Sequence, residues 1–230
     1  PATFLVKEGA SEWLTNVNGV LFFKGFDSTN GWALWKSDGT FDGTQLVKRM
    51  HASGTLSEFT NVSGTLYFSA KDDSNGEELW RSDGTASGTM MVKDIRLGSD
   101  GSNPRSLTNV NGVLYFRART NTQGVELWKS DGTSSGTALV RDINTGNGGA
   151  DSSFPLHLTN VNGTLFFVAD DGTNGRELWK SNGTSGGTVR VSDINSGSAS
   201  SNPSWLTNVN GTLFFAADDG SSGYELWKYD

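Results

Sequence analysis

The sequence predicts an all-β chain built from five copies of one four-stranded antiparallel unit, and three observations carry that prediction. The dipeptide Leu-Trp recurs at Trp35, Trp80, Trp128, Trp179 and Trp227, each time inside a near copy of ELWKSDGT. A period of about 46 residues marks one supersecondary unit repeated along the chain. Spacing around each copy is fixed on both sides. The turn glycines Gly19, Gly64, Gly112, Gly163 and Gly211 each lie 16 residues before their tryptophan, and Val47, Val92, Val140 and Val191 each lie 12 residues after one. Only the stretch from that valine to the next turn glycine varies, running 17, 20, 23 and 20 residues, with 13 from Val6 to Gly19. All insertion is therefore confined to one loop per unit. Thirdly, no segment shows a helical period, while 30 glycines and 13 phenylalanines suit short strands joined by tight turns.

Each unit contains four strand signals. The first is LTNV, as in Leu14 to Val17, and it runs into an Asn-Gly or Ser-Gly pair, a strong hairpin signal. The second is TLYF or VLFF, rich in strand-forming aromatics. A polar DDGSNG-like turn leads to the third strand, ELWKS. The SDGTxxGT turn then leads to the fourth, LVKDI, with Gly and Asp supplying turn geometry. Leu165-Phe166-Phe167-Val168 is apolar on both faces, so this strand needs cover on both sides.

A meander of this kind, repeated five times, predicts a five-bladed β-propeller occupying residues 1–230 as a single domain. The blades run approximately 9–50, 51–97, 98–146, 147–197, and 198–230 plus 1–8. In this reading the N-terminal strand, about Thr3–Glu8, completes the last blade as its outermost strand and closes a monomeric ring.

The ELWRSDGT of Glu78 to Thr85 and the ELWKSDGT of Glu126 to Thr133 resemble the ELWxxDGT repeat family, and the likeness runs through the whole chain. That resemblance implies a bacterial secreted or surface protein, and implies no catalytic residue. Copies depart from it: Ala33 replaces the glutamate, Asn182 replaces the aspartate, and the last copy ends in KYD. In repeat length and blade number the architecture is similar to that of the five-bladed animal lectin tachylectin-2.

A formal net charge of −7 argues against nucleic acid or an anionic membrane surface as partner, since both demand a basic footprint. No apolar run approaches the ~20 residues that cross a bilayer, so no membrane insertion is expected. The chain opens at Pro1 without a signal-peptide pattern and reads as a piece of something longer. Cysteine is absent and His51 and His157 are isolated, so neither a metal site nor another cofactor is expected. Paired aspartates at Asp72-Asp73, Asp170-Asp171 and Asp218-Asp219 read as solvated turn residues rather than calcium ligands.

Differences between units concentrate on one face, beside the loops of variable length. Before the leucine of the first strand the units carry Trp13, Glu58, Ser106, His157 and Trp205. At the start of the third strand they carry Trp32, Glu77, Val125, Arg176 and Tyr224. Closing the ring would gather Trp13, Trp32, Trp205 and Tyr224 in one sector, where exposed rings can stack on a sugar or receive another protein's side chain. The candidate ligand-binding residues are thus Trp13, Trp32, Trp205, Tyr224, His157 and Arg176. No catalytic role is expected, because the first strand carries no carboxylate and Glu12 and Glu58 stand near its entrance in two units only. The predicted function is a non-enzymatic module binding a glycan or a protein surface; the alternative is a structural or adhesion spacer without a small-molecule ligand.

Overall fold

A computed structural model describes residues 3, 5–51, 53–146 and 151–230. Nineteen strands form five antiparallel sheets in simple meander order, and no α-helix occurs among the described residues. Four sheets have four strands, beginning at β1 (Ser11–Val17), β5 (Leu56–Val62), β9 (Arg105–Val110) and β13 (Leu156–Val161). The fifth has three: β17 (Ser204–Val209), β18 (Thr212–Asp218) and β19 (Tyr224–Tyr229). The chain divides into two compact units, Pro1–Leu107 and Thr108–Asp230.

Each first hairpin turns as its dipeptide requires. Asn18 and Gly19 have φ of 52° and 85°, and the other four pairs repeat this double positive φ, the signature of the type I′ turn that matches strand twist. The preceding asparagine holds the loop: Asn16 Oδ1 accepts from the Gly19 N–H at 2.8 Å, as Asn160 does from Gly163 at 2.9 Å.

Neighbouring sheets interlock through the same motif. Thr15 Oγ1 donates to the Phe59 carbonyl while Asn61 Nδ2 reaches back to the Asn16 carbonyl in the first unit. In the second unit Thr159 donates to the Leu206 carbonyl and Asn208 to that of Asn160. LTN is thus a two-way connector between sheets, and its apolar neighbours fill the space behind. Val17, Phe22 and Leu34 of one sheet pack with Leu66, Phe68 and Trp80 of the next, all buried. Val161, Phe166 and Leu178 do the same with Leu213 and Phe215 in the second unit. Burial on both faces explains the doubly apolar second strands.

Ser-Asp-Gly-Thr turns use their aspartate locally. Asp131 Oδ1 accepts from the Thr133 N–H at 2.8 Å and hydroxyl at 2.7 Å, which holds its carboxyl below the usual range. Asn182 accepts from Thr184 in the same way, so the turn needs an acceptor oxygen and not a charge. A Cβ on Gly136 would sit 2.0 Å from Asp131 Oδ1, which is why that position is glycine. Paired-aspartate turns behave alike: Asp72 and Asp171 each accept two turn N–H groups.

The expected outermost strand at Thr3–Glu8 is corrected. Residues 5–8 form no strand, Phe4 lies outside the described residues, and the fifth sheet ends at β19. Lys7 instead lies on the first sheet, its Nζ donating to the Phe26 carbonyl at 2.7 Å and standing 4.6 Å from the Trp35 ring centre. Leu226 on β19 is 77 % exposed, whereas its counterparts Leu34, Leu79, Leu127 and Leu178 are fully buried, Leu34 and Leu178 against the sheet that follows each.

Candidate functional site

The variable position before the first-strand leucine (Phe59 in the second sheet) has an unusual backbone in every sheet. Trp13, Glu58, Ser106, His157 and Trp205 all adopt left-handed φ, between 55° and 63°, and none is glycine. Strand register slips at this point, between Glu12 and Thr15, Ser57 and Thr60, Leu156 and Thr159, and Ser204 and Thr207. This is a β-bulge, which re-aims one side chain out of the alternation. A left-handed L-residue costs about 1 kcal/mol, so the surrounding structure must hold it. The threonine of LTNV does so, donating to the bulge carbonyl at 2.9 Å for His157 and 2.8 Å for Trp205.

In the second unit two such bulges border a cavity of about 550 Å³, a size suited to a small ligand. His157 and Trp205 line it from the bulges, Arg176 and Tyr224 from the starts of β15 (Arg176–Ser181) and β19, and Asn202 and Pro203 from the loop before β17. Four of the six candidate binding residues therefore meet in one place. Trp205 is 81 % exposed and Tyr224 60 %, so the rings present open faces.

A buried carboxylate fixes the loop that contributes Asn202 and Pro203. Glu177 accepts from the Ser201 N–H at 2.8 Å and hydroxyl at 2.6 Å, and from the Ile194 N–H at 3.1 Å. Glu126 holds Ser153 and Ile143 identically, and Glu78 holds Ser102, Ile95 and Arg96. Burial outweighs these hydrogen bonds and pushes the Glu126 carboxyl up to about 7. The glutamate of ELW is thus a staple for a loop of variable length. A Ser-x-Pro signature, at Ser102, Ser153 and Ser201, marks its partner in the sequence and went unread there.

The two candidates in the first unit have different surroundings. Trp32 packs edge-on against Phe26, with ring centres 5.5 Å apart, and under Lys24, whose Nζ is 4.3 Å from the ring centre. It is a half-buried packing residue, while Trp13 on its bulge is 44 % exposed. Sequence reasoning also missed an ion pair in this unit. Arg105 grips Glu77 at 2.6 and 3.0 Å, and the Ser69 hydroxyl donates to the same carboxylate at 2.8 Å. That pairing raises the Arg105 guanidinium further above its ordinary value. Charge complementarity across two strands leaves no signal in a single repeat.

No family model matches the chain, and no relative is found among curated proteins. Solved structures do match. Puromycin hydrolase superposes with a TM-score of 0.61 at 14 % identity, over 96 % of this chain and 36 % of that one. A mutant of the same enzyme complexed with PGG gives 0.59 at 15 % identity, over 96 % and 36 %. Prolyl oligopeptidase B from Galerina marginata gives 0.55 at 13 % identity, over 92 % and 30 %. The chain spans about a third of the length of these structures. Such identities show likeness of fold alone. They nevertheless correct the expectation that the chain is not an enzyme: the proteins it superposes on are hydrolases, so the lack of a carboxylate in LTNV is no ground for excluding catalysis, and the strands themselves include Glu12 and Glu58.

Proposed function

We propose that the chain is a binding module for carbohydrate, with its site in the second unit's cavity bordered by Trp205, Tyr224, His157 and Arg176. One observation carries this reading: Trp205, 81 % exposed, stands on a left-handed bulge beside the exposed Tyr224 ring at the mouth of a cavity. A large aromatic held open to water in a strained backbone gains nothing from burial, and its face suits the C–H face of a pyranose. The test is glycan-array binding followed by calorimetry, comparing the native chain with Trp205→Ala. Loss of binding with unchanged circular dichroism supports the module. Absence of binding to any glycan, or binding that Trp205→Ala leaves intact, removes it and favours a spacer.

The finer architecture belongs to the same reading. The five sheets are the blades of a propeller. Supporting this, Lys48 stands over Trp80 and Arg141 over Trp179, in each unit a fourth-strand cation on the next sheet's anchor ring. Glu225 Oε2, the staple carboxylate of the fifth unit, is buried with no hydrogen-bond partner among the described residues. A following segment supplies those donors in the sheets of Glu78, Glu126 and Glu177. Membership of the ELWxxDGT repeat family, and with it a secreted or surface location in bacteria, rests on the repeated octapeptide.

A further inference from the structure

Arg176 and Glu77 occupy the same repeat position, each three residues before an anchor tryptophan, yet their charges have different fates. In the first unit Arg105, two residues before Leu107, neutralises Glu77. In the second unit the position equivalent to Arg105 is Ser204, two residues before Leu206, and the exposed Arg176 guanidinium has no hydrogen bond or ion pair among the described residues. No carboxylate, and no second lysine or arginine, lines the cavity it borders. In a chain of net charge −7 this cation is flanked by two open aromatic rings, and Asp170, opposite it on the neighbouring strand, spends its carboxylate on the Gly172 N–H at 2.8 Å.

We infer that the cavity takes an acidic saccharide of the hexuronate type, its carboxylate on the Arg176 guanidinium and its sugar face on the Trp205 indole. This rests on reading the cavity as a carbohydrate site and names the class of sugar. A planar guanidinium matches a planar carboxylate through two parallel hydrogen bonds. A phosphate or sulfate asks for more donors than one fork offers, and the nearby backbone N–H groups are already engaged. Arg176 N donates to Ser200 Oγ at 2.9 Å and Asn202 N to the Arg176 carbonyl at 3.2 Å. Tyr224 also lines the cavity, with its hydroxyl free among the described residues to meet ring hydroxyls.

The experiment is calorimetry with an oligogalacturonate trimer, its carboxyl-reduced neutral counterpart, and a sulfated neutral trisaccharide. The trimer should bind at least about tenfold more tightly than either, as a charged bidentate hydrogen bond implies. Arg176→Gln should erase that margin, with Arg176→Lys keeping part of it and circular dichroism unchanged in both. Equal binding of the neutral and acidic trimers, untouched by Arg176→Gln, overturns the hexuronate assignment and leaves the carbohydrate site standing. Sulfated sugar binding as tightly as the trimer overturns the choice of carboxylate. No binding of any of the three, together with an empty glycan array, overturns both.

Discussion

The Arg105 guanidinium closes on the Glu77 carboxylate through both terminal nitrogens, Nη1 to Oε1 at 2.6 Å and Nη2 to Oε2 at 3.0 Å. Glu77 is buried and Arg105 about one third exposed, so each charge depends on the other for its solvation. Arg105→Ala should destabilise the fold by roughly 2 kcal/mol, less than a fully buried pair because water still reaches the guanidinium. Adding Glu77→Gln should restore part of the loss, since the orphaned charge is then gone. Urea unfolding of the single and double variants measures both, and an unaffected Arg105→Ala would show the pair to be ornamental.

Stability should fall as pH rises from about 5 to 8. Glu126 is fully buried and its carboxyl titrates near 7 in the folded chain, above its ordinary 4.5. A raised carboxyl favours the folded state below the unfolded value and loses that contribution as pH climbs through the folded one, a change worth roughly 3 kcal/mol. Glu78 is raised for the same reason and acts in the same direction. The turn carboxylates of Asp38, Asp83 and Asp131 are lowered instead, so their effect falls below pH 4 and leaves this window clear. Glu126→Gln should flatten the slope of urea midpoint against pH. A midpoint that climbs from pH 5 to 8 contradicts the assignment.

At the bulge, Ser106 has φ of 59°. Ser106→Gly should leave stability within about 1 kcal/mol of native, because glycine adopts this conformation freely. Ser106→Val should cost more, roughly 2 kcal/mol, since a β-branched residue is disfavoured there. Chemical denaturation of the pair gives the difference, and a valine variant as stable as the glycine one contradicts a left-handed bulge.

The Ser-Asp-Gly-Thr turn contains its own control in Asn182. Asp131→Asn should melt with the native chain, whereas Asp131→Ala should melt at a lower temperature, because the turn loses the acceptor that holds the Thr133 N–H and hydroxyl. Thermal melts separate the two, and a large loss in the asparagine variant means the charge itself matters.

The repeat interval made the sheets legible because turn chemistry acts within a few residues. Asn18-Gly19 and Asp131 to Gly136 dictate their turns from local φ and local hydrogen bonds, so strand order followed from spacing alone. The binding candidates were partly legible for a similar reason. Trp205, His157, Arg176 and Tyr224 break an otherwise regular pattern, and the structure sets them around one cavity. Trp32 breaks the pattern too, but it is half-buried against Phe26, its direct cross-strand partner, and under Lys24.

By itself the sequence determined the number of units, the strand order within each, the turns, and which positions differ among copies. Those properties depend on contacts between residues near in the chain. Tertiary structure decided that the differing position is a left-handed bulge, that the glutamate of ELW staples a loop 17 to 27 residues away, and that Arg105 satisfies Glu77 while Arg176 is left open. Each of these depends on what packing brings beside a side chain. Burial and charge pairing are set by neighbours in space, which a repeat written along one dimension does not specify.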